Sequence, residues 1–101
     1  MRRKTYGGID KDPKGAMNPT GNIIRDAWVF GLIPETETCE GWSDQRIEAL
    51  YAQVSDEWHK YGHLASQLPP ELADKHRKIY DAAIKRAREL GWDPDEAFNG
   101  D

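Results

Sequence analysis

The side chains best suited to chemistry in this sequence are its single cysteine and its three histidines. His59 and His63 are four residues apart, a spacing that can place two imidazoles on one metal ion. Cys39 and His76 are the other candidate ligands. His59 and His63 lie outside the apolar stripe of their predicted helix, so we do not expect the candidate ligands to converge on one metal ion. We therefore predict no metal and no cofactor, and keep a small metal- or thiol-dependent protein using Cys39 and the histidines as the alternative.

Cys39 is a weak candidate for a nucleophile because Glu37 and Glu40 lie beside it and disfavour the thiolate. The helix predicted to start at Ser43 offsets this effect only in part. Glu35, Glu37 and Glu40 lack the spacing and the glycine of a calcium loop. The sequence also shows no phosphate-binding loop, catalytic serine motif or pair of carboxylates, and we expect a protein that is not an enzyme.

Charge is distributed unevenly along the chain. The first 17 residues contain five basic side chains (Arg2, Arg3, Lys4, Lys11 and Lys14) and two acidic ones (Asp10 and Asp12). The whole chain has a formal net charge of −4, so the acidic excess lies in residues 18–101. An acidic body repels phosphate, which argues against duplex DNA as a partner. Contact with phosphate through the basic N-terminal arm is a third hypothesis.

The cellular compartment is predicted from cysteine content and hydropathy. A single cysteine cannot form an internal disulfide and is typical of a reducing compartment. No apolar run approaches the roughly 18–20 residues needed to span a bilayer, and the N-terminus lacks the apolar segment of a secretory signal. We therefore predict a cytoplasmic protein that does not bind membranes.

The positions of glycine and proline predict where the helices and loops of the chain begin and end. Residues 1–17 combine glycine, proline and mixed charge with little apolar content, which predicts a flexible tail. A first helix is predicted over residues 20–32, because Pro34 disfavours helical geometry in the residue before it. Residues 35–41 are then expected to form a loop.

The second helix has the clearest start signal. Ser43 is a favourable N-cap, and Trp42 and Ile47 occupy the positions of a hydrophobic staple around it. Gly62 is expected to end the helix. The apolar residues recur at spacings of three and four and form one stripe: Ile47, Leu50, Tyr51, Val54, Trp58 and Tyr61.

The third helix is predicted from Pro70, where the missing proline N–H does no harm, to Leu90, with Gly91 as its C-terminal stop. Trp92 is placed to fold back toward Ala87. A short final helix is expected over residues 93–98. The inner stripe of the third helix comprises Leu72, His76, Ile79, Tyr80, Ala83, Ala87 and Leu90.

These elements predict an all-α fold, a small three-helix domain formed by residues 18–101. Two long helices form an antiparallel hairpin, an N-terminal helix packs across it, and a short helical turn ends the chain. Residues 1–17 form a flexible basic tail outside this domain. No alternating β-branched run predicts a strand.

The first helix is apolar on nearly every side, unlike a helix that has one buried face. With two neighbouring helices, part of its surface should remain open, and contiguous apolar surface is typical of an interface. The sequence therefore predicts a cytoplasmic protein-interaction module, an adaptor, regulator or inhibitor, that binds a protein partner or forms a homodimer. The alternative is that the tail, the 35–41 loop and residues 92–98 cover the helix. The candidate partner-binding residues are Trp28, Val29, Phe30, Leu32 and Ile33.

Overall fold

Three main helices organise the structure: α1 (Pro19–Val29), α2 (Asp44–His59) and α3 (Pro70–Glu89). A single-turn helix, Pro13–Ala16, precedes α1, and a 3-10 helix, Ala65–Gln67, precedes α3. The computed structural model describes residues 5–93. Within that range the chain contains no β-strand, only one isolated antiparallel bridge between Thr5 and Ser43. The predicted all-α domain of three helices is confirmed.

Helix α1 begins as its sequence directs but ends earlier than predicted. The Asn18 side chain caps it by accepting a hydrogen bond from the Gly21 N–H at 2.8 Å. Gly31 adopts a left-handed conformation with φ of +71°, and the Leu32 N–H donates to the Ala27 carbonyl at 2.9 Å. This arrangement is a glycine C-cap, which terminates the helix before Pro34 acts. The predicted extension of the helix to residue 32 is therefore wrong.

The predicted start of α2 and both predicted ends of α3 agree well with the structure, whereas α2 ends at His59, before the predicted stop at Gly62. The Ser43 hydroxyl accepts a hydrogen bond from the Arg46 N–H at 3.2 Å and caps α2. After α3, Gly91 has a φ of +96°, and the Trp92 N–H donates to the Ala87 carbonyl at 2.9 Å. The chain therefore folds back at Gly91 as predicted. The predicted helix over residues 93–98 lies, beyond its first residue, outside the described part of the chain.

Helix α1 packs against both α2 and α3, whereas the two long helices make few contacts with each other. All three helices meet at the Asp26 carboxylate of α1. Its Oδ2 accepts a hydrogen bond from the Trp58 Nε1 of α2 at 3.0 Å, and its Oδ1 accepts one from the Tyr80 hydroxyl of α3 at 2.5 Å. His76 stacks on Tyr80 and meets the Trp58 ring edge-on. The predicted packing of the first helix across the other two is confirmed.

The segment before α1 belongs to the folded domain. Ile9 and Ala16 are 8% and 0% exposed and form part of the core. The Tyr6 N–H donates to the Trp42 carbonyl at 2.9 Å, which ties this segment to the start of α2. The prediction that residues 1–17 lie outside the domain is therefore wrong for residues 5–17. Residues 1–4 lie outside the described part of the chain.

Backbone contact explains how this polar segment packs with so few apolar side chains. A Cβ atom added to Gly15 would lie 2.9 Å from the Ala87 Cα, and one added to Gly21 would lie 2.0 Å from the Ala16 carbonyl oxygen. The absence of side chains at these glycines lets the segment approach α3 and α1 closely. Composition alone underestimates such packing because it counts only apolar side chains.

The core lies on the α1 and α2 side of the domain. The clustered buried residues are Ile9, Ala16, Ile24, Ala27, Cys39, Trp42, Leu50 and Val54. Helix α3 contributes only Ala87 to the buried residues. Much of the apolar stripe of α3 is consequently only half-buried. No helix within residues 5–93 is both long and apolar enough to cross a membrane.

The close approach at Gly21 gives a stability test. We expect Gly21→Ala to lower the free energy of unfolding by about 2 kcal/mol, because a clash with the Ala16 backbone carbonyl puts the overpacking cost near the top of its range of roughly 1–3 kcal/mol, and alanine's helix propensity returns up to about 1. Urea unfolding measures the change. Gly7→Ala is the matched control, because no atom lies within 4 Å of its added Cβ. Equal stability of the two variants would contradict the packing of Ala16 on α1.

The hydrogen bond from Tyr80 to Asp26 gives a second test. We expect Tyr80→Phe to cost about 1.5–3 kcal/mol in unfolding free energy, the range for a hydrogen bond to a charged group. Tyr51→Phe is the control, because Tyr51 is 57% exposed. Its effect should stay within about 0.5 kcal/mol. Similar effects of the two variants in urea unfolding would argue against a role for Asp26 in joining the helices.

The effect of Tyr80→Phe on stability is expected to depend on pH. Burial, together with the hydrogen bond to Asp26, raises the pKa of Tyr80 above its ordinary value of 10.0. The stabilisation is therefore complete below pH 10 and declines as the pH rises further, since ionisation then favours the unfolded chain. The stability difference between the wild type and Tyr80→Phe should shrink from pH 8 to pH 11. A difference that grows over this range would contradict the assigned environment.

Candidate functional site

The predicted partner-binding residues do not form one exposed patch. Val29 is 1% exposed and has no surface for a partner to contact in the folded chain. Phe30 is half-buried, with its ring edge-on to Trp58 at 5.2 Å between centroids and stacked on Tyr61 at 6.2 Å. Much of the first helix is therefore covered by the chain itself.

Trp28, Leu32 and Ile33 are half-buried and pack against the core cluster. The Trp28 indole Nε1 donates to the Glu37 carbonyl oxygen at 3.0 Å, which fixes the ring against the loop after α1. Trp28 also lines a surface groove, and the other four predicted partner-binding residues do not line that groove. The other residues that line this groove were not predicted from the sequence to bind a partner.

This groove lies between α1, α3 and the segments that flank α1, and we call it the α1–α3 groove. Its volume is about 330 Å³, within the range of pockets that bind ligands. The apolar residues that line it are Ile9, Trp28, Ile79, Ala82, Ala83 and Leu90. Leu90 is 46% exposed, one of the most exposed large apolar side chains in residues 5–93. The groove is therefore an apolar depression that is open to solvent.

Four charged side chains also line the α1–α3 groove. Arg86 belongs to α3 and Arg25 to α1, while Asp10 and Glu35 belong to the segments before and after α1. Asp10, Glu35 and Arg86 are exposed, whereas Arg25 is buried. The groove thus has basic groups on its helices and acidic groups on the flanking segments.

Arg25 is 3% exposed and anchors the N-terminal segment. Its Nη1 donates to the Ala16 carbonyl at 3.0 Å and to the Asn22 Oδ1 at 3.2 Å, and its Nη2 donates to the Gly15 carbonyl. These acceptors are uncharged. Removal from water lowers the pKa of Arg25, and the nearby Asp12 and Asp26 oppose that shift. Within residues 5–93, no carboxylate lies within ion-pair distance of the guanidinium.

Cys39 lies in the core rather than at the surface. The residue is 0% exposed, and its N–H donates to the Glu37 Oε2 at 3.0 Å. Burial raises the pKa of the Cys39 thiol to about 11, and the Glu37 carboxylate adds to the shift. The sequence identified the electrostatic cause, but burial is the larger one. Reactive cysteines are accessible and have a lowered pKa, so this environment is that of an inert thiol.

The three histidines occupy separate surroundings. His59 and His63 are exposed, with ring centroids 5.8 Å apart. His76 is half-buried, and its ring contacts those of Trp58 and Tyr80. In the part of the chain that the structure describes, no group of three His, Cys, Asp or Glu side chains could hold a metal ion. Cys39, buried in the core, is therefore not grouped with the histidines.

The basic arm is described only in part. Lys11 forms an ion pair with Glu40 at 3.1 Å, so this lysine is paired with the acidic loop. Arg2, Arg3 and Lys4 lie outside the described residues. The contact with phosphate through this arm therefore stays a prediction.

The groove was missed from the sequence because its residues come from four separate segments. One signal was present: Arg25 interrupts an apolar run, between Ile24 and Ala27, which are both completely buried. A charged residue at a position that faces the core is rare unless its hydrogen bonds are satisfied. Such a position could have indicated a segment packed on this face of α1.

Comparison with known proteins finds no match, either to a family model, to a curated protein or to a solved structure.

The state of Cys39 can be tested by its reaction with a thiol reagent. At pH 8 we expect native Cys39 to react at least about 100-fold more slowly than in the urea-unfolded chain, because a thiol of pKa about 11 has far less thiolate than one near 9. The release of thionitrobenzoate from Ellman's reagent measures both rates. A native rate equal to the unfolded rate would show that the thiol is accessible. It would favour the alternative of a thiol-dependent protein that uses Cys39.

Proposed function

We propose that this chain is a small cytoplasmic protein-interaction module, an adaptor, regulator or inhibitor, which acts by binding a protein at the α1–α3 groove rather than by catalysis. The observation that carries the proposal is the groove itself, open to solvent and lined largely by apolar side chains. The buried free thiol of Cys39 supports a reducing compartment such as the cytoplasm.

The energetic reason for a partner lies in the exposed apolar surface of the groove. Apolar surface held in water is unfavourable, and covering it stabilises a complex by roughly 25 cal/mol per Å² before the costs of association. Trp28 is well placed to contribute, since tryptophan is enriched among the residues that dominate binding energy. Hydrogen bonding to the Glu37 carbonyl holds its ring in position, which lowers the entropic cost of binding.

The proposed surface differs from the patch predicted from the sequence. Trp28 is retained, whereas Val29 lies in the core and Phe30 packs on Trp58 and Tyr61. Leu32 and Ile33 are half-buried beyond the end of α1 and are not among the residues that line the groove. The main contribution moves to the face of α3 that the core leaves uncovered.

A matched pair of alanines tests the proposed surface. Ala82 is exposed and lines the groove, whereas Ala49 is exposed on α2 and does not. We expect Ala82→Glu to weaken capture of a specific partner from native host extract at least about tenfold, because a charge is placed in an apolar contact. Ala49→Glu should leave capture unchanged. Quantitative mass spectrometry of the captured proteins measures both.

The stability of both variants must be compared with that of the wild type to exclude unfolding. Both substitutions lie on exposed helical positions, so the free energy of unfolding should change by less than about 0.5 kcal/mol. Equal capture by Ala82→Glu and Ala49→Glu, with both folded, would contradict the groove as the binding surface. Loss of self-association by Ala82→Glu alone would identify the partner as a second copy.

A further inference from the structure

The α3 side of the α1–α3 groove has the length of a short helix. Its lining residues extend from Ile79 to Leu90, which corresponds to about 16 Å or three helical turns. Between these ends lie Ala82 and Ala83, whose small side chains let another backbone approach closely. Amphipathic helices bind such grooves through apolar side chains at successive turns. The shape of the groove therefore suits a partner helix of about three turns.

Arg86 adds a charge requirement at the α3 side of this groove. It is exposed and lines the groove. An acidic side chain of a bound partner would be attracted to its guanidinium. Arg25 also lines the groove, but it is 3% exposed and donates its hydrogen bonds to Ala16, Gly15 and Asn22, so it is not available to a partner.

The two acidic residues of the groove require basic side chains on the partner. Asp10 and Glu35 line the groove from the segments before and after α1, and both are exposed. Basic side chains on the partner would be attracted to them, whereas acidic ones would be repelled. Complementary charge of this kind selects the partner and its orientation more than it adds affinity.

We propose that the α1–α3 groove binds an amphipathic helix of a partner protein whose apolar stripe has acidic side chains along one flank and basic side chains along the other. The acidic flank contacts Arg86, and the basic flank contacts Asp10 and Glu35. This inference rests on the proposed function, because it specifies the partner segment for the same groove.

Two synthetic helical peptides of about 15 residues test the proposal. Both carry a fluorescein label and a leucine stripe with one leucine every third or fourth residue. The first peptide has glutamates on one flank of the stripe and lysines on the other. The second has the same composition, with glutamate and lysine mixed on both flanks, so no orientation in the groove matches its charges.

Fluorescence anisotropy with the full-length protein measures the two dissociation constants. We expect the segregated peptide to bind about tenfold more tightly than the mixed peptide at low salt, with the difference shrinking as salt screens the charges. Arg86→Glu should remove this preference. Arg88→Glu is the matched control, since it makes the same charge change on the same helix but does not line the groove.

The other outcomes separate this inference from the proposed function. Equal binding of the two peptides, lost in Ala82→Glu, would overturn the charge-matched helix while keeping the groove as a binding surface. Failure of both peptides to bind below about 1 mM would overturn the helical partner, and partner capture would still judge the groove separately. Dimerisation through the groove in sedimentation, lost in Ala82→Glu, would also overturn it by making a second copy the occupant.

Discussion

The arrangement of the three helices depends on one carboxylate. Asp26 accepts a hydrogen bond from Trp58 on α2 and another from Tyr80 on α3, so a single side chain of α1 joins both long helices. Because those two helices make few contacts with each other, α1 sets their relative position. Partly buried donors of this kind cost free energy when they lack a partner, which favours one arrangement over its alternatives. The α1–α3 groove is a consequence of that arrangement.

The segment before α1 completes the domain by close backbone contact. Gly15 lies against Ala87 of α3, and Ala16 lies against Gly21 of α1. Arg25 holds both carbonyl groups of this turn. The segment therefore covers one side of an apolar helix that would otherwise be exposed. Next to this contact the groove remains open, bounded by the part of the α3 apolar stripe that the core leaves uncovered.

Local signals in the sequence were sufficient to predict the helices, but the site depends on long-range packing. The cap at Ser43 and the stop at Gly91 act through adjacent residues, so both were predicted correctly. Gly31 ended α1 before Pro34 because its left-handed conformation closes the helix earlier. The N-terminal segment was misjudged since its glycines pack through backbone. The groove could not be predicted because its lining joins residues far apart in the chain, such as Asp10 and Arg86.

Site-specific photocrosslinking in native host cells tests the central claim, that the α1–α3 groove is a binding surface, most directly. Benzoylphenylalanine replaces Ala82 in the groove, or Ala49 on the exposed face of α2, in the otherwise unchanged chain. A groove that binds a protein should give one discrete adduct from position 82 and none from position 49. Adducts of equal yield from both positions, or no adduct from position 82, would contradict the claim.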